Sequence, residues 1–442
     1  MQTDPSVVLL SIPGLRPQDL PRLPQLTRTL PHTVPLTPSF PCVTWPVQAN
    51  MLTGRLPREH GVIANGFYWR ASRQVEMWTG GNQRIAARQI WDRLHTRDPR
   101  CTSAAWFPML SKGCGADYVC MPAPVHNPDG SESLWCYTQP AAFYGELRDA
   151  LGHFPLQHFW GPLANIQSTA WIVDSAVFTA HRFQPRFFYL YVPHLEYAAQ
   201  KLGPDSPAAI AALAELDEVL GRLIDGLTAA YAGRQLVWLA ASEYVITPVD
   251  HVSYPNRVLR EQGHLQVRPE GGGEMLDPER STAWALVDHQ FSHVFVQRQD
   301  PQVIDAIAQR FAGERGISEV LVGDQRGKYA VNHPRAGDIV LISAPSSWQA
   351  YYWWFDDARA PDFARTVDIH RKPGYDPVEL HWDPQTRTIP LDATLVRGSH
   401  GAPVTDTSQR GVLLSSQADA VPAPAVRDVD VGPLVLRQFG LS

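Results

Sequence analysis

Two short apolar runs with an amphipathic segment between them limit what this chain can fold into more than any other feature. The runs cover residues 186–192 and 235–240, and both are rich in the aromatic and β-branched residues typical of strands buried on both faces. Residues 208–227, which lie between them, carry Ile, Leu and Val at helical spacing. Because strands joined through a helix run in the same direction, this order predicts an α/β fold with a parallel sheet.

The N-terminal part of the chain continues this pattern. Residues 6–12 predict a third buried strand, which leads directly into a turn at Pro13 and Gly14. The proline-rich residues 17–43 predict a loop, and residues 47–52 predict a helix after it. A functional site is therefore expected at the N-terminus of that helix.

The domain organisation predicted from the sequence is a core with one large insertion. Residues 251–390 differ from the rest, with many prolines, a run of glycines and an aromatic run. We interpret them as an inserted cap subdomain, with its own helix at 302–311 and its own strand at 317–322. Residues 1–250 and 391–442 then form the α/β core.

Composition excludes several classes of protein. Hydrophobic residues make up 44% and charged residues 19% of the 442, so the chain can bury a large core and is not of a disordered type. The net charge is −6 and no basic run alternates with aromatic residues, so no nucleic-acid polymer is expected as a partner. Apolar stretches are only strand-sized, which predicts no membrane span, and the N-terminus lacks the features of a signal peptide. We therefore expect a cytoplasmic protein.

Four polar residues follow predicted strands or begin the predicted helix. They are Thr44 at the helix start, Glu196 and Glu243 just after the two apolar runs, and His400 on a glycine-flanked loop. Because the carboxyl ends of parallel strands meet at one edge of a sheet, we expect these side chains to converge. A hydroxyl, two carboxylates and an imidazole suit a metal ion or acid–base chemistry.

A longer pattern begins at Thr44. A Thr-Gly pair follows Thr44 nine residues on, and a Pro-x-x-His-Gly-x-x-x-Asn element comes after it. This pattern resembles the nucleophile region of the nucleotide pyrophosphatase/phosphodiesterase family in the alkaline phosphatase superfamily. The segments that follow Glu196 and surround Glu243 and His400 are similar to further elements of that family. The matching positions of the first element are Thr44, Thr53, Gly54, Pro57, His60, Gly61 and Asn65.

The resemblance implies a fold and a reaction. The fold would be an alkaline phosphatase-like three-layer sandwich, with a mostly parallel central sheet flanked by helices and an inserted cap. The reaction would be metal-dependent hydrolysis of phosphodiester or pyrophosphate bonds, with Thr44 as the nucleophile and two divalent ions, usually zinc. The resemblance also assigns Glu196, Gln200 and His400 to one metal, Glu243 to the other, and Asn65 and Tyr244 to the substrate.

The chain departs from the family pattern at several of these positions. The first metal-binding aspartate of the family is Pro13 here, and two histidine positions are Gln200 and Tyr244. An asparagine that helps to bind phosphate is Val47, and both retained acids are Glu where the family has Asp. The set that remains is richer in oxygen donors. This shifts the expected cofactor from two zinc ions to one divalent metal, with Mg or Mn as alternatives to Zn, or to none.

The cap carries charged residues that could compensate for the lost ligands. We hypothesise that His370, Arg371 and Lys372 bind the anionic part of a small-molecule phosphate ester, because phosphates need cationic donors. Asp288 and His289 belong to the same group of polar residues that the cap could bring onto the site. The alternative is that residues 356–376 form a surface loop with ordinary salt bridges.

Other conspicuous residues have simpler interpretations. His60 is interpreted as a structural histidine that holds the nucleophile loop, and His293 as a core residue. The aromatic run 351–355 is interpreted as core or cap packing, although an aromatic wall would also suit a planar group of a substrate. Trp45 and Tyr68 are predicted to line the pocket because they lie beside the motif.

Three functions remain open on the sequence alone. The first is a hydrolase of phosphodiester or pyrophosphate bonds that acts through Thr44. The second is a non-catalytic relative that binds an anionic ligand or a partner protein, which Pro13, Gln200 and Tyr244 favour. The third is a site retuned for another ester, a sulfate or a phosphonate. The substrate itself and the oligomeric state are not predicted.

Overall fold

Residues 5–126 and 132–441 are described by the computed structural model, and a nine-stranded sheet lies at the centre of this described part. Its middle is parallel, because Ser6–Ser11 pairs in parallel with Phe187–Tyr191 on one side and with Leu236–Ala241 on the other. The parallel sheet predicted from the apolar runs is thereby confirmed. From edge to edge the strands are Val426–Arg427, His32–Thr37, Gly411–Ser415, Leu236–Ala241, Ser6–Ser11, Phe187–Tyr191, Ser103–Trp106, Tyr118–Pro122 and Cys136–Gln139.

Helices flank the sheet in two packed groups. In the first group, the long helices Ile166–Phe183 and Pro207–Ala230 lie against each other, and the second of these is the helix predicted between the two apolar runs. In the second group, Thr44–Thr53 packs against the C-terminal helix Asp428–Gln438. The other helices of the core are Pro24–Thr29, Pro57–His60, Ile90–Arg97, Phe143–Leu151 and Leu195–Leu202.

The helix Thr44–Thr53 is buried along its whole length, which fixes Thr44 at its first position. Gly54 ends the helix with φ 67°, in the left-handed region that glycine adopts without steric cost. A Cβ atom at Gly54 would lie only 3.2 Å from Pro433 of the C-terminal helix. The glycine therefore allows both the turn and the close approach of the two helices.

The loop predicted for the proline-rich residues 17–43 is wrong in part. The segment forms the helix Pro24–Thr29 and the strand His32–Thr37, which pairs antiparallel with Gly411–Ser415. Pro35 lies inside this strand, opposite Val412. It is tolerated because the neighbour on the other side, Val426–Arg427, pairs only with Leu36 and Thr37, so no ladder hydrogen bond is required of Pro35 there.

A second hydrophobic cluster lies mostly within residues 249–396. It contains a four-stranded antiparallel sheet and the helix Pro301–Phe311. This helix begins one residue before the helix predicted at 302–311. One strand of the sheet, Ile317–Val322, is the strand predicted from the sequence. The division into a core and a cap at 251 and 390 stays a prediction, although the separate clusters suit it. In order across this sheet the strands are Ala283–Asp288, Phe291–Val296, Ile339–Ser343 and Ile317–Val322.

The aromatic run at 351–355 forms part of the cap interior. Its first four rings are buried and contact one another, whereas Phe355 is half-exposed. The interpretation as packing is therefore confirmed. Over the described ranges, no helix has the length and apolar character needed to cross a bilayer. The remaining elements include the helix Pro255–Glu261 and the strand pairs Gly66–Trp69 with Gln74–Met77, Val125–His126 with Glu132–Ser133, Thr247–Pro248 with Gly398–Ser399, His251–Ser253 with Ser347–Gln349, and Val267–Glu270 with Gly273–Leu276.

Candidate active site

The carboxyl edge of the parallel strands brings several of the predicted residues together. Glu196 lies in the first turn of Leu195–Leu202, a helix that begins four residues after the strand Phe187–Tyr191. Glu243 and Tyr244 come shortly after the strand Leu236–Ala241, which is separated from Phe187–Tyr191 in the sheet only by Ser6–Ser11. Parallel strands end on the same side, so these side chains meet at one place.

Thr44, Tyr244 and Glu196 form a chain of hydrogen bonds. Thr44 Oγ1 lies 2.8 Å from Tyr244 Oη, and Tyr244 Oη donates to Glu196 Oε1 at 2.8 Å. A tyrosine hydroxyl has one proton, and it is used on Glu196, so the Thr44 hydroxyl donates to Tyr244. Burial raises the pKa of Tyr244 well above its ordinary value, which keeps this proton on the phenol. The chain is thus oriented from the threonine to the carboxylate.

Glu196 is the centre of the site. Its Oε1 atom also accepts from Gln200 Nε2 at 3.2 Å and lies 3.4 Å from His400 Nε2, and its Oε2 atom accepts from Tyr191 at 3.2 Å. Burial works against the charged carboxylate, but His400 and Tyr244 hold the pKa of Glu196 below its usual value. Glu196 is therefore ionised at neutral pH and can accept a proton.

Four rings are stacked beside this carboxylate. Tyr244 stacks on His400 with the ring centres 3.8 Å apart, His400 lies 3.9 Å from His289, and His289 stacks on Tyr375 at 3.6 Å. Tyr375 also donates a hydrogen bond to Gln200 Oε1 at 2.6 Å. The column joins the core to the cap, since His289 and Tyr375 come from the predicted insertion.

Glu243 is buried behind the site and is held in its neutral form. Its Oε1 atom accepts from Ser11 Oγ at 2.6 Å and from Gln48 Nε2 at 2.8 Å, while Oε2 has no hydrogen-bond partner among the described residues. Burial raises the pKa of Glu243 to about 8. At neutral pH this group is therefore a protonated acid, in contrast to Glu196.

Asn65 does not present its amide to the cavity. Its Oδ1 atom accepts from Trp45 N at 2.9 Å, and its backbone and side-chain nitrogens donate to Asp288 at 2.7 and 3.1 Å. Burial raises the pKa of Asp288 to about 6, although Asn65 opposes the rise. A carboxylate from the cap thus uses the donors of Asn65, which the family resemblance had assigned to the substrate.

A cavity of about 930 Å³ opens above Thr44. Glu196 and His289 line it together with Thr44, and one wall comes from residues 367–379 of the cap. The predicted contributions of Trp45 and Tyr68 are wrong. Trp45 packs against Phe67 and Trp78, and Tyr68 packs against two aromatic rings of the cap sheet, because the hairpin that carries Tyr68 turns towards that sheet.

The three cap residues predicted to bind an anion line the cavity, but their polar atoms have other contacts. Lys372 is 1% exposed, and its Nζ atom lies 2.8 Å from Asp376 and 2.6 Å from Glu379. Arg371 pairs with Asp362 at 2.8 Å, and His370 Nδ1 lies 3.3 Å from Met77 O. Whether these residues bind substrate stays a prediction.

The two histidines interpreted as structural have structural contacts. His60 Nε2 lies 2.7 Å from Asn50 Oδ1, and burial lowers the pKa of His60 to about 3, so its ring is neutral. His293 is buried in the cap sheet, with Nε2 3.0 Å from Ile63 O. Both rings therefore tie the loop after Thr44–Thr53 in place.

Sequence reasoning missed two tyrosines of the site. Tyr191 is the last residue of a buried strand and Tyr375 belongs to the cap, and both hydroxyl groups reach the Glu196–Gln200 pair. Tyr191 could have been found, because it ends a strand at the same sheet edge as Glu196. Tyr375 has no spacing signal, since cap packing alone brings it there.

The residues present do not fit the two-metal centre that the resemblance implies. Pro13 has no side-chain donor, and the hydroxyl of Tyr244 is used on Thr44 and Glu196. Gln200 Oε1 already accepts from Tyr375. In the part of the chain that the structure describes, no group of three or more His, Cys, Asp or Glu could hold a metal ion.

The mostly parallel sheet flanked by helices, with a threonine at a helix start on its carboxyl edge, is a fold that this chain shares with two solved structures. Phosphonoacetate hydrolase from Sinorhizobium meliloti, solved with phosphonoformate, superposes with a TM-score of 0.64 at 17% identity, over 99% of this chain and 97% of that one. Murine ectonucleotide pyrophosphatase/phosphodiesterase 5, as an inactive variant with AMP, gives 0.61 at 15% identity, over 99% and 96%.

The family follows from the sequence model that matches this chain. The model of the type I phosphodiesterase / nucleotide pyrophosphatase family matches residues 7–376, and the chain belongs to that family. An uncharacterized pyrophosphatase/phosphodiesterase of Schizosaccharomyces pombe is 21% identical over 257 residues, which are 55% of this chain and 45% of the yeast protein. The aligned part of the chain thus spans less than half the length of that relative.

Proposed function

We propose that this protein is a hydrolase of phosphodiester or pyrophosphate bonds and that Thr44 is its nucleophile. The observation that carries the proposal is the oriented chain from Thr44 through Tyr244 to Glu196, at the inner end of a cavity. Membership of the phosphodiesterase family supports the reaction class. The position of Thr44 at the first residue of a ten-residue helix supports it too, because a helix N-terminus stabilises an anionic group.

The proposed first step transfers the phosphoryl group to the threonine. Thr44 Oγ1 forms a bond to phosphorus, and the bond from phosphorus to the leaving oxygen breaks. The Thr44 proton passes to Tyr244 Oη, and the Tyr244 proton passes to Glu196 Oε1, which is ionised beforehand. The leaving group departs as an oxyanion. In the second step water attacks phosphorus, the bond from phosphorus to Thr44 Oγ1 breaks, and the threonine regains its proton from Glu196 through Tyr244. The proton that the attacking water loses passes to solvent, which also supplies the proton that a basic leaving group takes up.

The class of substrate is tested with p-nitrophenyl compounds that differ only in the reacting group. We expect purified protein to hydrolyse bis-p-nitrophenyl phosphate faster than p-nitrophenyl phosphate, and Thr44→Ala to lose about a thousandfold in kcat/KM on the diester. A Thr44→Ala preparation as active as wild type would show that the activity comes from elsewhere. Preference for the monoester, or for p-nitrophenyl sulfate, would contradict the proposed substrate class.

A second candidate function is ligand binding without catalysis. Pro13 and Tyr244 stand where the family has metal ligands, and the side chains around Glu196 already satisfy one another. A protein of this kind would bind the same anionic ligands and turn none over. Binding of AMP, measured by calorimetry, together with no turnover in the presence of added Zn, Mn or Mg, would favour this candidate.

The cytoplasmic location also stays a prediction.

A further inference from the structure

The cavity above Thr44 is lined mainly by apolar side chains. Its polar end holds Thr44, Glu196 and His289. Walls of this kind favour ligands that lose apolar surface to them, by roughly 25 cal/mol for each Å² removed from water. The apolar wall includes Trp78, Met109, Met121, Leu156, Phe159 and Trp160.

The apolar lining continues to the opening of the cavity. Leu134 and Val367 both line the cavity, and they are 37% and 45% exposed. Leu134 comes from the core side and Val367 from the cap, so an exposed apolar side chain lies on each side of the cavity, beside the exposed polar residues Gln157 and Arg371. An apolar group can therefore enter the cavity along these two side chains.

The charged groups in the wall compensate one another. Lys372 is enclosed by Asp376 and Glu379, and Arg371 is paired with Asp362 and with Asp368 at 3.6 Å. Three of these acids also line the cavity, namely Asp368, Asp376 and Glu379. The wall thus offers little net positive charge to a polyanion such as a nucleoside triphosphate.

His289 provides an unpartnered ring nitrogen at the polar end. Its ring is 2% exposed, its Nδ1 atom lies 2.6 Å from Asp288 Oδ1, and its Nε2 atom has no hydrogen-bond partner among the described residues. The contact with Asp288 places the proton of the neutral ring on Nδ1. Nε2 therefore carries a lone pair, which a ligand can satisfy with a donor.

We propose that the cavity binds an uncharged, apolar group that presents one hydrogen-bond donor to His289 Nε2. In the reaction proposed above, this group belongs to a substituent on the phosphorus that Thr44 attacks. The reaction rests on the proposed function, but the binding of the apolar group does not require turnover.

Binding is tested with N-phenyl-1-naphthylamine, an uncharged fluorescent probe with a single N–H donor. We expect it to bind wild type, and to bind Leu134→Asp at least fivefold more weakly, because a carboxylate at the opening costs desolvation. Leu202→Asp is the matched control, since Leu202 is 50% exposed and does not line the cavity. Equal affinity of all three proteins, or no binding, would overturn the proposal.

The contact with His289 is tested with the N-methyl derivative of the same probe, which has no donor. We expect this derivative to bind wild type at least fivefold more weakly than the parent probe, because Nε2 then stays unpaired. Equal affinity of the two probes would remove His289 from the proposal. Both probes are added to the folded full-length protein, so no variant is needed for this step.

Turnover of two esters distinguishes a failure of apolar binding in the cavity from a failure of the proposed hydrolysis. We expect hexyl p-nitrophenyl phosphate to exceed ethyl p-nitrophenyl phosphate at least tenfold in kcat/KM, because four more methylene groups enter the apolar wall. Probe binding as expected without turnover of either ester would support the cavity proposal and contradict the hydrolase. Turnover of both esters at equal rates, with no probe binding, would support the hydrolase and contradict the cavity proposal.

Discussion

Tyr244 connects the two groups that the proposed reaction needs. Its hydroxyl lies between Thr44 and Glu196, and its ring stacks on His400. The family has a metal-binding histidine at this position. In the proposed reaction, the tyrosine that replaces it passes a proton instead. This replacement makes the residue a good point at which to test the chemistry.

Tyr244→Phe should lower kcat about a hundredfold and leave KM within a factor of three, because the variant keeps the ring but removes the link from Thr44 to Glu196. Tyr191→Phe is the matched control. It removes a hydroxyl donor to the other oxygen of Glu196 without touching Thr44, so we expect a loss below tenfold. Steady-state kinetics on bis-p-nitrophenyl phosphate measures both, and similar losses in the two variants would contradict the relay.

Glu243 should make stability depend on pH. Its pKa in the folded protein is about 8 against an ordinary value of 4.5, so the stability it contributes is complete below pH 4.5 and is lost as the pH rises through 8. Glu243→Gln mimics the neutral acid and removes this dependence. We expect nearly equal thermal midpoints for variant and wild type at pH 4, and a higher midpoint for the variant at pH 8.5. Parallel pH curves would show that Glu243 is not neutral.

Among the individual residues of the site, only some could be predicted from the sequence. Thr44, Glu196 and His400 could be placed together because each follows a strand or begins a helix at the same sheet edge. Asp288 and Tyr375 could only be assigned to the cap, and the contact of Asp288 with Asn65 could not be foreseen. Such contacts depend on how two regions that are distant in the sequence pack together, and no spacing in the sequence encodes this.

The helix Thr44–Thr53 is held from behind by a buried polar cluster. Asn50 donates to Asp428 at 2.6 Å and contacts His60 at 2.7 Å, and Asp428 also accepts from Ser39. The cluster joins the helix Thr44–Thr53, the C-terminal helix and the short helix Pro57–His60. It fixes the direction of the helix and hence the place of Thr44.

Asn50→Ala should lower the free energy of unfolding by about 3 kcal/mol, because it leaves a buried carboxylate and a buried imidazole without one partner each. Denaturant unfolding gives the value. Gln438→Ala is the control, since its side-chain amide donates to Leu434 O of its own helix, and we expect a change of about 0.5 kcal/mol or less. A change in Asn50→Ala as small as in the control would contradict the anchoring role.

Helices and strands are predicted well from the sequence where a segment is buried along its length, and poorly where the segment contains prolines. The strand Leu236–Ala241 and the helix Pro207–Ala230 have apolar residues at the expected periods. The strand His32–Thr37 was missed because its exposed residues and Pro35 look like a loop. Its pairing with Gly411–Ser415 is a tertiary contact across almost the whole chain, which overrides local preference.

At the scale of the whole molecule, a buried ion cluster joins the core to the cap. Trp160 of the core donates to Glu379 at 2.6 Å, and Lys372 binds the other oxygen of Glu379. Burial opposes the charge on Lys372, but Asp376 and Glu379 raise its pKa, so the ammonium stays charged. The cluster holds the cap wall of the cavity against the core.

Lys372→Met should destabilise the protein by about 3 kcal/mol and raise KM, because two buried carboxylates then lose their cation. Arg371→Met is the control from the next position, where the side chain is half-exposed, and we expect little change in stability. Unfolding curves and KM for bis-p-nitrophenyl phosphate are measured on both. A rise in KM for Arg371→Met alone would instead favour the hypothesis that Arg371 binds the anion.

Metal content is a property of the whole purified protein. The donor set around Thr44 and Glu196 lacks the residues for two ions, so we expect fewer than two divalent ions per chain. Inductively coupled plasma mass spectrometry, after growth with added Zn, Mn and Mg, counts them. Two tightly bound ions per chain would contradict this reading of the site.

Acid-quenched single turnover with peptide mass spectrometry shows whether Thr44 carries the phosphoryl group during the reaction. Wild type mixed with bis-p-nitrophenyl phosphate should yield a peptide with the nitrophenyl phosphate adduct on Thr44, and Thr44→Ala should yield neither the adduct nor product. Product formation by Thr44→Ala at the wild-type rate, with Thr44 unmodified in wild type, would contradict a threonine nucleophile.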